Sequence, residues 1–131
     1  MRKDVACILL AGGSGSRMAG DQPKQFVRIA GKTILEHSLG ALRQHLPLVR
    51  IVVTAPFADV DKVARMFKHD PLVQVIAGGV SRQASTLKGL KALADDAPHN
   101  ILIHDGARPF LDGRTLSDVM EALEEHDAVD V

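Results

Sequence analysis

Four short apolar runs, Val5–Leu10, Val49–Thr54, Leu72–Ala77 and Asn100–His104, alternate along the chain with stretches of helical period. Each run is rich in β-branched residues and apolar on both faces, the pattern of strands buried in a parallel sheet. Between the first two, Leu35, Leu39, Leu42 and Leu46 recur at helical spacing, opened by Thr33 and Glu36 in a capping-box arrangement. A second stripe is formed by Val60, Val63, Ala64 and Phe67, and a third by Ala84, Leu87, Leu90 and Ala94. Leu116, Val119, Met120 and Leu123 make a fourth, with Thr115 and Asp118 as its expected cap. Crossovers between parallel strands are almost always right-handed. The order β-α-β-α-β-α-β-α therefore predicts an α/β fold: a Rossmann-like open, mainly parallel sheet with helices on both faces and ligands at the carboxyl ends of the strands. With no repeat, linker or low-complexity tract, residues 1–131 read as one unit.

Composition narrows the function. The 131 residues carry 16 basic and 16 acidic side chains, so the formal net charge is zero, and there is no Trp or Tyr and only four Phe. A nucleic-acid binder would want a basic face and aromatic stacking platforms, so nucleic acid is not an expected partner. Cys7 is the single cysteine, which rules out a disulfide framework and points to the cytoplasm. No apolar run approaches the roughly 18 residues of a membrane span, and MRKDVACILL leads into a glycine loop instead of a cleavage site, so no membrane or export role is expected.

If ligands sit at the carboxyl ends of the strands, chemistry should cluster just after the strands. The first run leads into Ala11-Gly12-Gly13-Ser14-Gly15-Ser16-Arg17-Met18, the third into Gly78-Gly79-Val80-Ser81-Arg82 and the fourth into Asp105-Gly106-Ala107-Arg108-Pro109, while the second ends in plain Ala55-Pro56-Phe57. The glycine loop matches neither familiar phosphate motif. A dinucleotide fingerprint starting at Gly13 and Gly15 would need glycine where Met18 stands, and a Walker loop from Gly15 and Gly20 would need lysine at Asp21. What remains is a loop whose bare amides can approach a phosphate closely, with Arg17 and Lys24 as cations. A simple glycine turn is the alternative, but the connection from Ala11 to Phe26 is far longer than the usual 2–6 residues of a βα loop.

Leu10-Ala11-Gly12-Gly13-x-Gly15-x-Arg17-Met18 followed by Pro23-Lys24-Gln25-Phe26 resembles the signature of nucleotidyltransferases that join a nucleoside triphosphate to a sugar or polyol phosphate. Two further motifs are Gly78-Gly79-x-x-Arg82-x-x-Ser85 and His104-Asp105-x-Ala107-Arg108-Pro109. With these added, the chain resembles the 2-C-methyl-D-erythritol 4-phosphate cytidylyltransferase family over essentially its whole length. The resemblance implies the nucleotide-diphospho-sugar transferase type of the fold, and CTP and a polyol phosphate as partners. It implies transfer of CMP with release of pyrophosphate, in non-mevalonate isoprenoid biosynthesis. Ribitol-5-phosphate cytidylyltransferase shares all three motifs and stands as the alternative.

Such chemistry is chiefly positioning and neutralisation of crowded negative charge. The resemblance makes Arg17 and Lys24 the catalytic cations on the triphosphate, and Ala11, Gly12, Gly13, Ser14, Gly15, Gly79, Ser85, Asp105 and Gly106 the nucleotide-binding residues. Ser81 and Ser85 could instead serve only the first turn of the helix through Leu87. Many relatives carry Asp or Asn where this chain has Val80, so a side-chain hydrogen bond to the nucleotide is unavailable there. Asp105, a hard carboxylate at the pocket mouth, is the expected ligand for Mg2+ or another divalent cation, or for the ribose. With Arg108 it would also seat the second substrate's phosphate, to which a guanidinium fork is suited. An Asp105–Arg108 ion pair that merely closes a loop is the structural alternative.

The six histidines show no metal-ligand spacing, and Cys7, inside an expected strand, has no evident His partner, so hydrolase and nucleophilic mechanisms find no support. A dinucleotide-dependent oxidoreductase is disfavoured by the missing third glycine and by Ala55, where an acidic residue would end the second strand. The family's sequence continues past this chain, with further strands, an arm that pairs subunits, and later Lys and Thr residues. Residues 1–131 are accordingly read as the nucleotide-binding part of a single, truncated nucleotidyltransferase domain. On this reading the chain by itself could bind nucleotide without turnover. The resemblance implies a homodimer for the full-length parent, and fusion to a cyclodiphosphate synthase, common in bacteria, is compatible with it.

Overall fold

The computed structural model describes residues 1–12 and 22–131. Arg17, Gly13, Ser14 and Gly15 lie outside the described residues. The elements are β1 (Arg2–Leu10), β2 (Arg28–Ile29), β3 (Lys32–Thr33), α1 (Ile34–His45), β4 (Val49–Ala55), α2 (Val60–Met66), β5 (Val73–Ala77), α3 (Arg82–Leu93), β6 (Asn100–Asp105) and α4 (Gly113–Ala122). Four strands form one parallel sheet in the order β5-β4-β1-β6. The chain winds outward from β1 through β4 to β5, then crosses back to place β6 on the far side of β1. The winding reverses between β1 and β6, and a doubly wound sheet opens its ligand crevice at that point.

Strand β1 shows why both faces must be covered. Val5, Cys7, Leu9 and Ala11 belong to one buried cluster with Leu35, Leu39, Leu42 and Leu46 of the first helical stripe, Val63 and Phe67 of the second, and Leu116 of the fourth. Ala6, Ile8 and Leu10 point the other way, against Val52 and Leu93. Alternation along a strand sends neighbours to opposite faces, so a continuous apolar run requires helices on both sides. Helix α1 begins where expected: Thr33 Oγ1 accepts the Glu36 amide at 3.0 Å and Glu36 Oε1 accepts the Thr33 amide at 3.0 Å. Its last turn is tied down by Arg43, whose Nε and Nη2 meet the Asp70 carboxylate at 2.8 and 3.2 Å while Nη1 reaches the Leu46 carbonyl.

Three sequence expectations need correction. Helix α3 buries Ser85, Gly89 and Leu93, not the leucine stripe; Leu87 and Leu90 are 51% and 38% exposed, and Ala94 is exposed. A Cβ at Gly89 would come within 2.9 Å of Ile8 Cδ1, so the small residues are what let this helix lie close on β1. A stripe chosen by hydrophobicity overlooks serine and glycine at the same spacing. Ala64 is exposed, because the seven-residue α2 packs through Val63, with the buried Phe67 following as its C-cap. Helix α4 is capped by Asp112 and not by Thr115 and Asp118: the Asp112 carboxylate accepts the Thr115 amide at 2.7 Å, and that bond holds its pKa below the ordinary carboxylate value.

The hairpin β2–β3 has no counterpart in the sequence reading. Its turn places Ala30 at φ 53° and Gly31 at φ 83°, the mirror-image geometry that two-residue hairpin loops favour. The sequence of residues 126–131 reads as the beginning of a further strand, but these residues carry no strand pairing.

Candidate functional site

An open cleft of about 980 Å3 lies at the carboxyl ends of β1 and β6. Its walls include Ala11, Lys24, Gln25, Asp105 and Arg108, which the chain supplies from three separate segments.

The glycine-loop side is anchored at both described ends. The Ala11 amide donates to the Thr54 carbonyl at 2.8 Å, and its carbonyl accepts Gln25 Nε2 at 2.9 Å. Ala11 therefore offers the cleft a wall and no free amide. Gly12 has ordinary van der Waals room for a side chain, the nearest atom being Pro56 Cδ at 3.8 Å. Lys24 opens a 3-10 turn, Lys24–Phe26, that follows Pro23. Phe26 is buried beneath α1's face of the sheet, and Lys62 Nζ sits 3.9 Å from the centre of its ring, a cation–π contact that holds the turn from outside. Lys24 thus projects from a rigid base toward the cleft, half-buried.

After β6 the chain makes a compact turn. Asp105 Oδ1 accepts the Ala107 amide at 2.9 Å, the Arg108 amide donates to the Asp105 carbonyl at 3.1 Å, and His104 Nε2 lies 2.8 Å from the Arg108 carbonyl, which requires the Nε2–H tautomer. One carboxylate oxygen is thereby committed. The other, Oδ2, faces Arg82 Nη1 at 3.8 Å and Arg108 Nε at 3.9 Å. Both arginine side chains are largely exposed, so these pairs contribute little to stability and leave the guanidiniums free to swing onto an anion. Gly106 has no space for a Cβ, which would fall 2.8 Å from Leu35 Cδ1 and 2.9 Å from the Leu10 carbonyl oxygen.

Gly79 and Ser85 stand apart from this cleft's lining, at the start of α3. The Gly79 amide donates to Ser85 Oγ at 3.0 Å, and Ser81 Oγ accepts the Ala84 amide at 3.1 Å as the helix cap. The Ser85 hydroxyl is thus engaged in shaping its own loop. Arg82, in the motif but without an assigned role in the sequence reading, links the two regions through Asp105. Gln25, whose buried amide ties Lys24's turn to the Ala11 carbonyl, carries a sequence signal only as a polar residue between Lys24 and the core residue Phe26. Among the described residues no group of three His, Cys, Asp or Glu side chains could hold a metal. Cys7 is fully buried, and desolvation pushes its thiol up to about 12, so it is no nucleophile near neutral pH.

A doubly wound parallel sheet, with a cation and a carboxylate lining one crevice at its switch point, defines the Rossmann-like α/β class. Within that class the chain belongs to the 2-C-methyl-D-erythritol 4-phosphate cytidylyltransferase (IspD) family, whose model matches residues 5–131. It is 40% identical over 134 residues to the 2-C-methyl-D-erythritol 4-phosphate cytidylyltransferase of Thermobifida fusca, covering 99% of this chain and 54% of that protein. It is 39% identical over 123 residues to the bifunctional IspD/IspF enzyme of Granulibacter bethesdensis, covering 94% of this chain and 31% of that one. Among solved structures it resembles the 4-diphosphocytidyl-2C-methyl-D-erythritol synthase of Anaerococcus prevotii, with a TM-score of 0.75 at 26% identity over 93% of this chain and 52% of that one. The chain spans about half the length of the monofunctional relative.

Proposed function

We propose that residues 1–131 are the nucleotide-binding part of a single nucleotidyltransferase domain. Its parent transfers CMP from CTP to 2-C-methyl-D-erythritol 4-phosphate, releasing pyrophosphate, in non-mevalonate isoprenoid precursor biosynthesis. The observation that carries this reading is the convergence of Lys24, Asp105 and Arg108 on one cleft at the switch point. In the reaction, an oxygen of the polyol phosphate attacks the α-phosphorus of CTP. The bond to the bridging oxygen breaks, and pyrophosphate leaves with the electron pair. No oxidant or external base is required, because the attacking phosphate oxygen is already anionic.

The residues divide the work of neutralising charge. Lys24, on its 3-10 turn, and Arg17 are assigned the stabilisation of charge that grows on the α-phosphate and the leaving group. Gly12, Gly13, Ser14 and Gly15 are assigned to the phosphate oxygens, while Gly79 and Ser85, apart from the cleft's lining, and the buried Gly106 would hold the backbone around the nucleoside. Arg108 seats the phosphate of the second substrate. Asp105 Oδ2 suits a magnesium ion: it is a hard oxygen with no strong hydrogen bond of its own, the phosphates would complete the coordination, and the exposed arginines beside it can move to the phosphates. A bound magnesium ion would supply further neutralisation of the triphosphate.

The parent acts in the cytoplasm as a homodimer, a reading supported by family membership and the free Cys7. No helix among the described residues is long and apolar enough to cross a membrane. Bifunctional relatives support fusion to a cyclodiphosphate synthase as one form of the parent.

Calorimetric titration of the chain with CTP, ATP, GTP and UTP in the presence of magnesium tests the site. Selective CTP binding, weakened about tenfold or more by Arg17→Ala and by Lys24→Ala, is the expected result. Binding of NADH without CTP would overturn the reading. Turnover with methylerythritol phosphate against ribitol phosphate then decides the second substrate.

A further inference from the structure

Helix α1 carries one polar residue inside its leucine stripe. Ser38 lies between Leu35 and Leu39 and is 0% exposed. Its hydroxyl makes the usual contact with its own helix, 3.0 Å to the Ile34 carbonyl, and a shorter one of 2.7 Å to the Gly106 carbonyl, 68 residues away. A hydroxyl has one proton to donate, and the shorter contact leads out of the helix to the turn that carries Asp105.

That turn is held at Gly106 from every side. The Gly106 amide donates to the Leu10 carbonyl at 2.8 Å, which closes the junction between β1 and β6. Its Cα packs against Leu35 with no room for a Cβ, and its buried carbonyl takes the Ser38 proton. Without Ser38 the carbonyl would be buried with no partner, and rotating the peptide toward water is the simplest relief. That same planar peptide unit carries the Ala107 amide, which orients Asp105 Oδ1, so the two groups turn together.

We infer that Ser38 is a positioning residue for Asp105, acting through Gly106 to fix where the carboxylate points into the cleft. The inference rests on the function proposed above for the meaning of that placement, but its geometric part stands alone. An alanine here would leave the Gly106 carbonyl buried without a partner, and a larger apolar side chain would collide with it, which is the physical reason for serine at this helix position.

Two measurements on the chain separate this role from a merely structural one. The first is the pH titration of the Ala107 amide by NMR, since an amide bonded to a carboxylate shifts as that carboxylate ionises. In Ser38→Ala the amplitude of that shift should fall by half or more, while the amides of Leu9 and Val53 in the sheet keep their positions. An unchanged Ala107 amplitude, or equal disturbance throughout the sheet, overturns the inference. Where Ser38→Ala does not fold, Ser38→Cys keeps the volume with a much weaker donor, and the same comparison applies.

The second is a double-mutant cycle on CTP binding with magnesium. Ser38→Ala should weaken binding about tenfold in the parent sequence and by less than twofold in an Asp105→Asn background. Equal losses in both backgrounds overturn the inference. If the unsubstituted chain binds no CTP, the proposed function fails, and the Ala107 titration alone decides the role of Ser38.

Discussion

Gly79 has no room for a side chain: a Cβ there would sit 2.4 Å from Ala84 Cβ and 3.0 Å from the Ala84 backbone carbon. Backbone cannot yield as a flexible side chain can, so Gly79→Ala must push the loop off the start of α3. We expect a loss of about 1–3 kcal/mol, read as a lower midpoint in urea unfolding, together with weaker nucleotide binding. Cys7 makes a different demand on pH. Its thiol is pushed up to about 12 by burial, so the folded state keeps the proton after the unfolded chain has lost it. Stability should therefore fall as pH rises above about 9, with a slope approaching roughly 1.4 kcal/mol per pH unit. Cys7→Ala should flatten that part of the profile in a urea series from pH 8 to 11. The identities of these residues were legible in the sequence, Gly79 from its motif and Cys7 from its apolar run. Not legible were the fold-back that brings Ala84 onto Gly79 and the neighbours that bury Cys7, because both depend on how the chain folds and not on residue type.

Elements show where periodicity suffices and where it does not. The leucine stripe and capping box of α1 are legible in the sequence because both are local patterns of i, i+3 and i+4 spacing. The buried face of α3 is not legible there, because Ser85 and Gly89 are buried for their small size, Gly89 directly over Ile8. The hairpin β2–β3 escaped notice because Ala30 occupies a position where glycine or asparagine is the usual signal. An alanine in the left-handed region is strained, so Ala30→Gly should raise stability by about 0.5–1 kcal/mol. Paired thermal and urea melts of the two proteins would measure it, and a loss of stability would mean that Ala30 does not hold this φ in solution. The effect should stay local, since the hairpin lies outside the main sheet.

At the scale of the whole molecule, the parallel order β5-β4-β1-β6 is what gathers distant motifs at one edge. Lys24 and Asp105 are far apart in sequence and wall the same cleft. A ligand that binds only the folded chain stabilises it by mass action. At 100 times its Kd, CTP with magnesium should add about 2.7 kcal/mol, which for a domain of this size raises Tm by roughly 6–12 °C. Differential scanning calorimetry would show this shift, and Lys24→Ala should reduce it at the same CTP concentration. The sequence by itself determined the alternation of strands and helices and the parallel sheet, because both are written in local spacing and residue type. Tertiary structure alone decided that Asp105 faces Arg82 as well as Arg108, that the Ser85 hydroxyl serves the Gly79 amide, and that Ser38 supports the Asp105 turn. Each of those is a contact between residues whose separation along the chain or whose place on a helix face gives no periodic sign, and only packing brings them within reach.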